Sequence, residues 1–131
     1  MNVAQNTKYT LLHVEDNLEI QDLVRHILTS RPNIKVMGAL TVKEGLDLAR
    51  QNLPDMVLMD IHLPDGSGLD ALKQIQACQE TANIPVVALS SLTTRLQIEK
   101  SLKNGFKYYI TKPIDVPEML ETIDQILDRQ S

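Results

Sequence analysis

A chain of 131 residues is long enough for one domain that buries roughly two-thirds of its unfolded surface. Hydrophobic content of 43% against 23% charged residues argues against disorder, and a net charge of −4 with scattered basic residues argues against a dedicated nucleic-acid surface. The apolar runs fall far short of a membrane span, no signal-peptide core is visible at the N-terminus, and the lone Cys78 can form no internal disulfide, which together predict a cytoplasmic protein.

Residues 1–8 read as a short loose segment, and everything from residue 9 to 131 as one domain. The run "YTLLHVED" is aliphatic on both alternating faces and predicts a first buried strand. Ile20, Leu23, Val24, Ile27 and Leu28 then recur at the 3.6-residue period of a helix face. "IKVMGAL" predicts the second strand, and Val42, Leu46 and Ala49 a second helix. "DMVLMD" is the third strand; its last residue, Asp60, leads into the Pro/Gly-rich "IHLPDGSG". Leu69, Leu72 and Ile75 mark a third helix, and "IPVVALSS" a fourth strand. From Thr93 to Asn104 the spacing of Leu96, Ile98 and Leu102 is irregular, so this helix is expected to be weakly packed, with Gly105 closing it. "KYYIT" is the fifth strand; Val116, Met119, Leu120, Ile123 and Leu127 follow as a stripe behind Asp115, a suitable N-cap.

Five strands alternating with five helices predict an α/β domain: a doubly wound, three-layer parallel sheet with helices on both faces. Ligands in such sheets bind beyond the carboxyl ends of the strands, where strand order reverses. Those ends carry Glu15-Asp16, Asp60, Ser90-Ser91 and Thr111-Lys112-Pro113, while the second strand ends at Leu40-Thr41 without charge. Three carboxylates at one edge remain ionised together only around a cation. With oxygen donors and no His/Cys cluster, that cation should be hard, Mg²⁺ before Ca²⁺. Lys112 adds a positive charge, Ser90 a hydroxyl, and the loops backbone N–H donors. An acceptor carboxylate beside a metal and a lysine suits phosphoryl transfer to Asp60.

The segments "HVEDN", "VLMDIHLPDGSG", "IPVVALSS" and "GFKYYITKPI" resemble the landmark motifs of the receiver domain of two-component response regulators, in order and over residues 10–129. The resemblance implies a flavodoxin-like sheet of strand order 2-1-3-4-5. It implies Asp60 as phosphoacceptor, Glu15 and Asp16 as the acidic pair for Mg²⁺ (or Mn²⁺), and the backbone carbonyl of His62 as a further metal ligand. Ser90 resembles the switch hydroxyl, Tyr109 the switch aromatic and Lys112 the lysine that meets the phosphoryl group, with Ile61 and Ser91 offering backbone N–H groups to it. The Lys112–Pro113 bond is expected to be cis. Ser90 stands where threonine is commoner in the family.

A histidine kinase or histidine phosphotransfer protein is the implied donor, and the protein is expected to assist its own phosphorylation and dephosphorylation without being an enzyme in another sense. Its output surface is expected at the fourth helix, fifth strand and fifth helix, toward a downstream protein and not toward nucleic acid or membrane. It would act as a monomer or a phosphorylation-dependent dimer, and no output domain is read after "DRQS". The alternatives are a receiver fold used as a constitutive docking scaffold, an aspartyl-nucleophile phosphatase, and a flavin or nucleotide binder. A scaffold needs none of these groups, the phosphatase wants an Asp where His62 stands, and no phosphate-binding glycine motif is present. His13 and His26 read as packing or surface residues, Cys78 as structural, and Met37, Met56, Met59 and Met119 as core.

Overall fold

Unbroken aliphatic strands have to be covered on both faces. A computed structural model, which describes residues 8–128, shows how this chain covers them. The loose stretch expected over residues 1–8 lies, apart from Lys8, outside the described residues. In chain order the elements are β1 (Tyr9–Val14), α1 (Leu18–Ile27) running into a 3₁₀ turn (Leu28–Ser30), β2 (Ile34–Ala39), α2 (Val42–Asn52) and β3 (Met56–Asp60). They continue with α3 (Gly68–Ala77), β4 (Val86–Ser90), α4 (Arg95–Asn104), β5 (Tyr108–Thr111) and α5 (Val116–Asp128). The Pro/Gly-rich loop after Asp60 contains an antiparallel hairpin of two-residue strands, His62–Leu63 against Gly66–Ser67.

The five main strands are parallel and ordered β2-β1-β3-β4-β5, as expected. Of the three inner strands, β3 and β4 are buried at every residue and β1 at all but Thr10, whereas the edge strands β2 and β5 are mostly half-buried. Alternate residues feed two cores. Leu11, Leu58 and Leu89 pack with Val24 and Ile27 of α1 and Met119 and Ile123 of α5. Leu12, Val57 and Ala88 pack with Leu46 and Ala49 of α2 and Leu72 and Ile75 of α3. The stripe residues Leu23 and Val116 fall outside this burial, each 41% exposed. Gln21 takes an inward position on α1 instead, for a reason that belongs to the site below.

Every helix begins at the carboxyl edge of the sheet with a side-chain cap. Asn17, Thr41, Ser67, Thr94 and Asp115 each accept the N–H three residues on, at 3.0–3.3 Å. Five helix N-termini, each with a partial positive charge, thus surround the edge where the acids collect. Asp65 of the hairpin also accepts the N–H groups of Val42 (2.8 Å) and Lys43 (3.1 Å), fastening the loop after β3 to the start of α2. Helix α4 contributes no buried residue, which its irregular spacing foretold, and it closes on Gly105 at φ 118°, a left-handed conformation suited to glycine.

Candidate functional site

The first acid is placed by the end of β1. Glu15 N–H donates to Ala39 O at 2.8 Å, carrying the β1–β2 ladder one residue past the strand. Gln21 Nε2 donates to the carbonyls of both Glu15 and Ala39, at 2.9 Å each, and locks the two strand ends together. A Cβ on Gly38 would collide with the Gln21 amide, so that glycine makes room for the clamp. Neither residue stood out in the sequence, because an inward glutamine looks like any polar helix residue until its partners are known.

Glu15 is 1% exposed, Asp60 4%, and Asp16 lies out at the rim. One carboxylate oxygen from each of the three lies within 4.8 Å of the others. Lys112 Nζ donates to Glu15 Oε1 at 2.9 Å and stands 3.6 Å from Asp60 Oδ2. Asp60 Oδ1 accepts the N–H of His62 at 3.1 Å, while Asn17 N–H reaches Glu15 Oε2 at 3.3 Å. Burial pushes the Glu15 carboxyl up to about 7; Lys112 works against that rise and Asp60 adds to it. The site is therefore short of positive charge. Oxygens on one Mg²⁺ at about 2.1 Å lie within roughly 4.2 Å of one another, so this donor set fits such an ion with a small closure or a bridging water.

The remaining expected residues sit around this centre. Ser90, 1% exposed, accepts Leu92 N–H on Oγ at 3.1 Å, and its carbonyl accepts Lys112 N–H at 2.8 Å. Tyr109 donates its hydroxyl to Leu92 O at 2.7 Å, so Ser90 and Tyr109 hold the same loop residue from two sides. The Lys112–Pro113 bond is cis. Ser91 is exposed just beyond β4. Ile61 N–H is engaged in a long 3.3 Å bond to Leu89 O, continuing the β3–β4 ladder. The His62 imidazole is exposed, as is His26. His13, read as a packing or surface residue, is buried beside Glu15; burial first, then the charges of Lys112 and Arg25, hold its pKa down at about 3, so its ring is neutral.

Gly68, the last residue of the Pro/Gly-rich "IHLPDGSG", opens α3 directly behind Asp60. A Cβ there would press into the Asp60 carbonyl oxygen and lie 3.0 Å from both Ile61 Cα and Met59 Cγ. A concavity of about 600 Å³, lined by Pro54, Ile84, Pro85 and Gly105 among others, lies at the opposite edge of the sheet, where the strands begin. The acidic cluster lies at the other edge. Among the described residues no helix is long and apolar enough to cross a membrane.

Known proteins show the same arrangement of elements. A Brucella ovis protein, the polar-differentiation response regulator DivK, is 37% identical over 120 residues, covering 90% of this chain and 95% of that one. The receiver domain of a Francisella response regulator superposes with a TM-score of 0.87 at 25% identity, over 95% of this chain and all (100%) of that one. The receiver domain of a Pseudomonas aeruginosa sensor histidine kinase, solved with a magnesium ion coordinated in its active site cleft, gives 0.82 at 25% identity over 92% and 98% of the two chains. Residues 11–124 match the response regulator receiver domain, and this chain therefore belongs to the receiver domain family of two-component response regulators.

Proposed function

We propose that Asp60 is the phosphoacceptor of a domain spanning residues 9–131. A carboxylate oxygen of Asp60 would attack the phosphorus of a phosphohistidine donor; the O–P bond forms as the donor's N–P bond breaks. The observation that carries this reading is the Asp60 carboxylate at the end of the central strand, 3.6 Å from Lys112 Nζ and within reach of Glu15 and Asp16. Glu15, Asp16, Asp60 and the His62 backbone carbonyl would hold Mg²⁺ or Mn²⁺, which supplies positive charge against the phosphoryl oxygens. Lys112 meets a second phosphoryl oxygen, and the Ser90 hydroxyl, released from Leu92 N–H, a third. Ser91 N–H adds a donor, as does Ile61 N–H once its long bond to Leu89 is shared. Withdrawing Ser90 from Leu92 loosens the residue that Tyr109 also holds, which is how the event at Asp60 reaches α4 and β5.

A histidine kinase or histidine phosphotransfer protein, met in the cytoplasm, is the donor. The output face is α4–β5–α5, where Leu96 and Leu102 are 74% and 43% exposed, and its partner is a protein or a second copy, not nucleic acid. The same groups would assist hydrolysis of the acyl phosphate. A constitutive scaffold is disfavoured because it has no use for Lys112 against a buried glutamate.

The test is intact mass after incubation with acetyl phosphate and Mg²⁺. One added phosphoryl group is expected, and none after chelation of divalent metal. Uptake without metal would count against the mechanism, and no uptake from any donor would favour the scaffold.

The metal should also show a pH signature in stability. Because the folded carboxyl of Glu15 is raised from its usual 4.5 to about 7, its favourable contribution is present at low pH and lost as pH rises through about 7. A bound divalent cation offsets that loss only where Glu15 is ionised. Mg²⁺ should therefore raise the melting temperature more at about pH 8.5 than at about pH 5.5. Thermal melts at constant ionic strength, with and without Mg²⁺, check this; an equal shift at both pH values would show that Glu15 is not a ligand.

A further inference from the structure

His13 lies two residues before Glu15 on β1, so both side chains leave the same face of the sheet. It is 1% exposed, and its Nε2 has no hydrogen-bond partner. A buried polar atom left this way is unfavourable, whereas a leucine would fill the space without an orphan. Glu15 Oε1 lies 4.0 Å away and is already held by Lys112 at 2.9 Å. The imidazole thus waits behind an occupied acceptor.

That acceptor does not stay occupied. On the proposed function, on which this inference rests, Lys112 is drawn to the phosphoryl group as it forms on Asp60, and the buried Glu15 carboxylate loses its charged partner. We infer that His13 is a positioning residue: its Nε2–H takes over Glu15 Oε1 when Lys112 leaves for the phosphoryl group, and keeps the carboxylate turned toward the metal. A closure of roughly 1 Å brings the pair to hydrogen-bond distance. Partners of this kind, standing behind a metal ligand, typically change metal affinity 10–100-fold, roughly, when removed. The histidine is thus mildly unfavourable in the resting protein and favourable in the phosphorylated one.

The opposite signs make the test specific. His13→Leu deletes the donor at similar volume, and His13→Gln keeps an amide N–H at about the Nε2 position. Each is compared with wild type, metal-free and with Mg²⁺ plus beryllium fluoride as the phosphoryl mimic. His13→Leu should melt no lower than wild type without metal yet bind the mimic about tenfold more weakly, and His13→Gln should recover most of that loss. In wild type, ¹⁵N-edited spectra of the ring should show a neutral Nε2–H tautomer whose proton moves downfield when the mimic binds.

Equal destabilisation of both states by His13→Leu would mean a packing role and overturn the inference, as would unchanged mimic binding or an Nε2 proton that does not respond. Should His13→Leu fail to fold, the wild-type spectrum and His13→Gln decide alone. Wild type that neither binds the mimic nor accepts phosphoryl removes the proposed function and this inference with it; wild type that binds, with His13→Leu binding equally well, removes only the role of His13.

Discussion

Asp60→Asn should accept no phosphoryl group from any donor, and without divalent metal it should be at least as stable as the wild type. The first half follows from nucleophilicity: an amide oxygen carries no negative charge to place on phosphorus, so uptake should fall by at least about a thousandfold. The second follows from electrostatics. Asp60 and Glu15 are buried carboxylates at one site with Lys112 as the ammonium between them, and Asp60 helps push Glu15 upward. An Asn of the same shape can still accept His62 N–H on Oδ1, so the local hydrogen bond survives while the repulsion goes. The added stability from Mg²⁺ should shrink in the variant because one anionic ligand is missing. Mass spectrometry reads the first effect, and melts with and without metal read the others. A labelled Asn variant would move the acceptor elsewhere; an Asn variant that melts well below wild type without metal would make Asp60 a structural strut.

The fold was legible because its signals are local and additive. Uninterrupted aliphatic runs such as "VLM" and "VVAL" announced buried parallel strands, and the acids closing two of them announced the functional edge. Asp115 before an apolar stripe and Gly105 after a poor one were read correctly for the same reason. What escaped depends on pairs far apart in sequence. Asp65 caps a helix that begins 23 residues earlier, a contact that nothing around Asp65 could reveal. Gln21 is a clamp only because two carbonyls converge on it. Leu23 and Val116 were assigned inward because periodicity locates a stripe but not its edges. The burial of His13 could be anticipated, but its unpartnered nitrogen could not. At the site, residue types carried the acids and the lysine, whereas Gly68 acts through the side chain it lacks and leaves no chemical signature to read.

Gly68→Ala should destabilise the protein by about 2–4 kcal/mol and depress phosphoryl uptake at the same time. The added Cβ meets backbone, the Asp60 carbonyl and Ile61 Cα, and backbone cannot rotate aside as a side chain can. Asp60 is held on its other flank by the register with Leu89, which Ile61 N–H extends. Gly68 is held in turn by its own N–H to Ile61 O at 2.8 Å and by the Ser67 cap on Asp70. The overlap must therefore move either the first turn of α3 or the end of β3, and the two are separable. If the helix yields, urea melts show the loss while Mg²⁺ still binds; if the strand end yields, metal affinity and labelling fall beyond what instability explains. Gly66→Ala, two residues earlier in the hairpin, is the control: its Cβ would meet only Val42 Cγ2 at an ordinary 3.6 Å. It should stay within about 0.5 kcal/mol of wild type and label normally. Equal behaviour of the two alanine variants would show that the close approach of α3 to Asp60 carries no weight in either folding or chemistry.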